Sequence, residues 1–183
     1  MKIRKHYKEI YEVENFLDDS IIEKLLSYVD LDGEDGWITH NIGSTMHSGF
    51  ATTVYSANKT NMELANSINE KMLSFFNNID RYIPMLDVRR LKSNEFMPPH
   101  DDLGPNNEDK NLLFGVVLYL NDNFEGGELN YVDLGIKIKP VKGSLIIHKS
   151  TYKHEVLEVT SGKRYCITSF IWGNDNTKIN IDI

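Results

Sequence analysis

Asn94-Glu95-Phe96-Met97-Pro98-Pro99-His100-Asp101-Asp102 is the stretch on which the reading of this chain turns. In an extended segment residues two apart point to the same side, so His100 and Asp102 present an imidazole and a carboxylate together, while Asp101 turns away. One more histidine from a neighbouring strand would complete a facial set of three metal ligands with other coordination positions open.

The best candidate for that histidine is His154, in Tyr152-Lys153-His154-Glu155-Val156. His148 is its rival, and is read here as a buried or pocket-edge residue. His6, His40 and His47 sit in no motif and read as surface residues, although the loop carrying His40 and His47 could reach a pocket. Arg164 opens the strand Arg164-Tyr165-Cys166-Ile167-Thr168-Ser169-Phe170 and shares one face with Cys166, Thr168 and Phe170. A guanidinium on a buried face needs an anion, and no acidic side chain on that face supplies one. A bound carboxylate ligand would.

The rest of the chain sets the frame. With 183 residues, 40% apolar and 26% charged, it can bury the core of one domain. The net charge of −7 and the absence of a dense basic run disfavour a polyanion partner such as nucleic acid. The single cysteine, Cys166, excludes an intramolecular disulfide and a zinc-finger spacing. Neither a signal-peptide core nor a membrane-length apolar run is present, so the expectation is a cytoplasmic, soluble domain without membrane contact.

Periodicity divides the chain. A strand over residues 10–17 leads to Asp18-Asp19-Ser20, which offer N-cap side chains to a helix carrying Ile21, Ile22, Leu25, Leu26 and Val29. Short strands are expected at 37–39 and 50–55. A second helix is expected from Asn58 to about Tyr82, because Ala65, Ile68, Met72, Phe75, Phe76 and Ile79 keep a helical period. After Pro84, short β-rich runs alternate with turn signals: 86–91, 112–120, 128–134, 136–138, 144–147, 154–159 and 165–172. That spacing suggests a sandwich or barrel. Gly126-Gly127 and Lys142-Gly143 read as turns, residues 103–111 as an exposed loop, and residues 179–183 as an edge strand. The division is helical support over 1–83, a β core over 84–173 and a tail over 174–183.

Several motifs in fixed order make the chain resemble the prolyl 4-hydroxylase-like family of iron(II)- and 2-oxoglutarate-dependent dioxygenases. They are His100-Asp101-Asp102, Leu118-Tyr119-Leu120-Asn121, Phe124-Glu125-Gly126-Gly127-Glu128-Leu129, Pro140-Val141-Lys142-Gly143-Ser144-Leu145, His154-Glu155-Val156 and Gly162-Lys163-Arg164-Tyr165. The resemblance implies an α+β chain with a double-stranded β-helix core, jelly-roll or cupin-like, and two supporting N-terminal helices. It implies Fe(II) held by His100, Asp102 and His154, and 2-oxoglutarate with its far carboxylate on Arg164 and the Tyr119 hydroxyl. Dioxygen is the second cosubstrate and ascorbate an accessory reductant. The implied reaction couples decarboxylation of 2-oxoglutarate to hydroxylation of an aliphatic carbon, with a prolyl residue in a peptide or protein as the leading substrate. Asp102 favours hydroxylation over halogenation, because halogenating relatives lack that carboxylate. A free amino acid or other small molecule is the alternative substrate, and a catalytically silent cupin-like module is the alternative of another class. The chain departs from the family pattern at Leu91 and Asn94, where a tyrosine and a glycine are usual, and at Phe170, where a tryptophan is usual. Trp172 lies two positions further on.

Overall fold

The strand Leu112–Tyr119 shows how the fold arises. Its sequence Leu-Leu-Phe-Gly-Val-Val-Leu-Tyr is apolar on both faces, as suits a strand covered on both sides. Phe114, Val116 and Leu118 enter one core, whereas Val117 and Tyr119 enter another. The computed structural model describes residues 2–27, 29, 37–40, 52–56, 62–85, 87–103 and 110–181.

In chain order the elements are β1 (Lys2–Tyr7), β2 (Ile10–Glu14), α1 (Asp19–Leu26), β3 (Ile38–His40), β4 (Thr52–Ser56), α2 (Met62–Leu73), β5 (Phe76–Tyr82), β6 (Asp87–Lys92), β7 (Met97–His100), β8 (Leu112–Tyr119), β9 (Glu125–Gly126), β10 (Leu129–Tyr131), β11 (Ile136–Ile138), β12 (Leu145–Lys149), β13 (His154–Val156), β14 (Val159–Ser161) and β15 (Lys163–Ile179). The larger sheet runs β1-β2-β12-β8-β15-β6-β4-β3, with β5 also paired to β15. The smaller runs β11-β10-β13-β7, and β14 pairs with β9.

Side-chain alternation gives the larger sheet two different faces. On the outer face Leu118, Leu145, Tyr165 and Ile167 pack with Ile22 and Leu25 of α1 and Ile68 and Met72 of α2. On the inner face Val117, Tyr119, Ile146 and Cys166 pack against Leu129, Tyr131 and Ile138 of the smaller sheet. Gly143 makes the turn into β12 with φ 79°, and its carbonyl accepts a hydrogen bond from the Leu17 amide at 3.1 Å. This bond ties the segment before α1 to the core.

Three local expectations need correction. The second helix stops at Leu73, and residues 76–82 form β5 rather than more helix. Phe75 and Phe76 are still buried, so the apolar period is real. The far half of β15 offers an open edge that β5 fills, pairing Phe76 with Ile179 and Tyr82 with Ile171, and Asn77-Asn78 are weak helix formers. The edge strand expected over 179–183 is not formed: β15 runs on through the polar stretch after Trp172 and ends at Ile179, residues 180 and 181 lie in no strand, and 182 and 183 are outside the described residues. The basic start forms an edge strand, whose Arg4 pairs with Glu14 at 2.7 Å and whose His6 meets Glu12 at 2.8 Å. Asp18 occupies the N-cap of α1 as expected, but through its carbonyl, since its side chain makes no capping bond. The loop expected over 103–111 lies mostly outside the described residues, as does His47. Backbone pairing confirms strands at Ile38–His40 and Thr52–Ser56.

Candidate active site

Two strands of the smaller sheet bring the first histidines together. In the β7–β13 pair, His154 lies directly opposite His100, and their ring centroids are 4.4 Å apart. Each imidazole is oriented by its own chain. His100 Nδ1–H donates to Pro98 O at 2.9 Å, and His154 Nδ1–H donates to Tyr152 O at 2.8 Å. A carbonyl only accepts, so in both rings the proton is on Nδ1 and the Nε2 lone pair is free for a ligand.

Asp102 completes the set. Its amide donates to Ser150 O at 3.0 Å, and its Oδ1 lies 3.8 Å from His154 Nε2. One donor atom from each of His100, Asp102 and His154 falls within 4.8 Å of the others, so the three could hold one ion between them. Asp101 is turned elsewhere: its Oδ1 accepts the Leu103 amide at 3.0 Å.

The electrostatics suit a cation. Burial is the largest influence on all three groups: it pushes the Asp102 carboxyl up to about 7 and both histidines below their ordinary value. The set is thus a costly place for charge without a counter-charge, and a divalent ion would supply one.

A cavity of about 340 Å³ joins this cluster to Arg164. Arg164 is buried, its Nη1 is 3.2 Å from Cys166 Sγ, and its guanidinium carbon stands 5.1 Å from the centre of the Tyr119 ring. A thiol is a weak acceptor, and Arg164 Nε and the Tyr119 hydroxyl have no hydrogen-bond partner among the described residues. Burial raises the Tyr119 hydroxyl to about 12, so it is a neutral donor. A buried guanidinium and a phenol with unmet donors make a fitting receptor for a carboxylate.

The chain has now shown both halves of a recognisable centre, and comparison with known proteins agrees. Residues 86–172 match the family model of the 2OG-Fe(II) oxygenase superfamily. The match covers 87 of the 183 residues and contains His100, Asp102, Tyr119, His154 and Arg164. A PKHD-type hydroxylase of Prochlorococcus marinus (strain MIT 9215) is 42% identical over 62 residues, which are 33% of this chain and 28% of that protein. A prolyl-4-hydroxylase of Pseudomonas putida superposes with a TM-score of 0.68 at 18% identity, covering 91% of this chain and 93% of the other. The viral collagen prolyl hydroxylase of Paramecium Bursaria Chlorella virus-1, solved as its 2OG complex, gives 0.62 at 22% identity over 92% and 97%. A Trichoplax adhaerens prolyl hydroxylase bound to a hypoxia inducible factor peptide fragment gives 0.69 at 19% identity over 90% and 84%. The fold shared with these neighbours is the double-stranded β-helix. The superfamily whose model matches uses Fe(II), 2-oxoglutarate and dioxygen, and the donor set described above is chemically suited to the first two. No helix among the described residues is long and apolar enough to cross a membrane.

His100, Asp102, His154 and Arg164 therefore line one cavity, as do the departures Leu91 and Phe170, and Tyr119 stands against the Arg164 guanidinium. Asn94 keeps φ 68°, the left-handed backbone that a glycine would allow and asparagine tolerates. Two residues had been passed over. Arg89 lines the cavity and donates from Nε to Thr168 Oγ1 at 2.7 Å. Gly115 sits in β8 beside Asp102 and His148. A lone glycine inside an apolar strand run is the signal that would have drawn attention to it.

Proposed function

We propose that this chain is an Fe(II)- and 2-oxoglutarate-dependent dioxygenase that hydroxylates an aliphatic carbon, with a prolyl residue of a peptide or protein as prime substrate. The observation that carries the reading is the pairing of a preorganised His–Asp–His cluster with a buried arginine on the same cavity. His100, Asp102 and His154 would hold the iron. Bound iron supplies dioxygen activation coupled to oxidative decarboxylation of 2-oxoglutarate to succinate and carbon dioxide. Arg164 binds the far carboxylate of 2-oxoglutarate through a forked, charge-assisted contact, and the Tyr119 hydroxyl donates to it. The carbonyls of Pro98 and Tyr152 hold each imidazole in the ligating tautomer. The apolar walls keep bulk water from the reacting centre.

The prolyl hydroxylases among the structural neighbours, one of them bound to a peptide, support a peptide substrate. A free amino acid or other small molecule is the second reading, favoured because Leu91 and Phe170 replace family aromatics on the cavity wall. The lone, buried Cys166 suits a reducing compartment such as the cytoplasm.

The test uses purified protein with Fe(II), ascorbate and 2-oxoglutarate. Succinate should form slowly without prime substrate, and His154→Ala or Asp102→Ala should lower that rate by more than about 100-fold. Equal turnover in those variants sinks the metal assignment. Arg164→Ala should raise the 2-oxoglutarate Kd by at least about tenfold, and an unchanged Kd removes the cosubstrate assignment. A gain of one oxygen on proline, read by mass spectrometry over a peptide panel, supports the prolyl reading. Oxygen gained only by free amino acids supports the second.

A further inference from the structure

The two oxygens of Asp102 face different histidines. Oδ1 is on the His154 side, while Oδ2 lies 3.6 Å from Nε2 of His148. His148 is on β12, is buried, and is not one of the three residues that could share an ion. Its ring packs edge-on against His154 at 4.5 Å and against Tyr131 at 5.6 Å between centroids. Its strand is flanked by β2 and β8, which pair His148 with Ile10 and Gly115, and the ring is enclosed between those neighbours and the two aromatic contacts.

Gly115 shows that this contact is built into the sheet. A methyl group on Gly115 would overlap both His148 Nε2 and Asp102 Oδ2. Any side chain there would therefore part the imidazole from the carboxylate. Oδ2 is buried with no hydrogen-bond partner among the described residues, so a donor aimed at it answers an unmet acceptor. A ring that turns Nε2 toward a carboxylate oxygen, which accepts, offers it an Nε2–H, and Nδ1 is then the unpartnered atom observed.

We infer that His148 is a positioning residue for Asp102, whose Nε2–H restrains Oδ2 and so presents Oδ1 alone to a metal shared with His100 and His154. The restraint would keep the carboxylate to one coordination position and leave the remaining positions for cosubstrates. This inference rests on the metal reading proposed above.

Co(II) is the probe, with affinity by titration and ligand geometry from its visible absorption. Glutamine at position 148 places an amide N–H near the position of Nε2, whereas phenylalanine fills the space without a donor. His148→Phe should weaken Co(II) binding by about 10- to 100-fold, the effect typical of losing a partner that orients a metal ligand. His148→Gln should stay within about threefold of wild type and keep its Co(II) spectrum. His148→Leu, which likewise has no donor, should weaken Co(II) binding as His148→Phe does. Unchanged Co(II) affinity in His148→Phe overturns the inference, leaving His148 as core filling. Equal loss in both position-148 variants with an altered spectrum also overturns it, because His148 would then be a ligand itself. Unchanged Co(II) affinity in His148→Leu overturns it as well, and this arm serves if His148→Phe does not fold. Wild-type protein that binds no Co(II), with Asp102→Ala no different, would mark failure of the metal reading instead.

Discussion

The outer and inner faces of the large sheet are made by the same strands and differ in almost everything else. Outside, Phe114, Val116, Leu118, Leu145 and Ile167 form a continuous apolar core with both helices. Inside, Tyr119 Oη, His148 Nδ1 and Arg164 Nε, with Tyr131 Oη of the smaller sheet, are buried with no hydrogen-bond partner among the described residues. Each such atom costs stability, so a fold selected for stability alone would not gather them in one place. The contrast suggests that the outer face holds the sheet while the inner face is kept incomplete for ligands to finish.

The sharpest way to break this contrast is to cut each face once. Leu118 is fully buried on the outer face, and Leu118→Ala should cost about 2–5 kcal/mol of unfolding free energy, read by denaturant titration. Metal affinity measured on the folded fraction should not change. If Leu118→Ala lowered metal affinity as much as stability, the two faces would not be separable.

Acid should act on the inner face alone. Burial raises the Asp102 carboxyl to about 7, above its unfolded value, so below pH 7 a metal must displace a proton from it. The histidines, held below their ordinary value, compete less. Metal affinity should therefore fall by up to about tenfold per pH unit below about 7 and level off above it. The metal-free fold has the opposite dependence at this group: the stability Asp102 contributes when protonated is lost as pH rises through about 7. Metal titrations at three pH values check the first sign, and a flat affinity would sink it.

The smallest effect is the most discriminating. Tyr119→Phe deletes a buried hydroxyl that lacks a partner, so stability without ligand should stay the same or rise by up to about 1 kcal/mol. Affinity for 2-oxoglutarate should fall about five- to tenfold in the same protein, measured by calorimetry with Mn(II) present. A large stability loss with unchanged 2-oxoglutarate affinity would make Tyr119 an ordinary core aromatic.

What the sequence determined by itself was local or ordered. The short β-rich runs between turn signals after Pro84 marked the strands, the two-residue spacing of His100 and Asp102 marked a shared side, and the motif order marked His154 and Arg164. These signals survive without a partner because each depends on residues close in the chain. Tertiary structure decided whatever needed a neighbour. Residues 76–82 have a helical apolar period yet became β5, because an open strand edge pairs backbone groups that a period says nothing about. Lys2–Tyr7 became an edge strand because Glu12 and Glu14 stand opposite its cations. Gly115, thirty-three residues before His148 in the chain, meets it only through the β8–β12 register. The two oxygens of Asp102 are alike in any sequence, and only packing gives one of them to His148 and leaves the other facing His154.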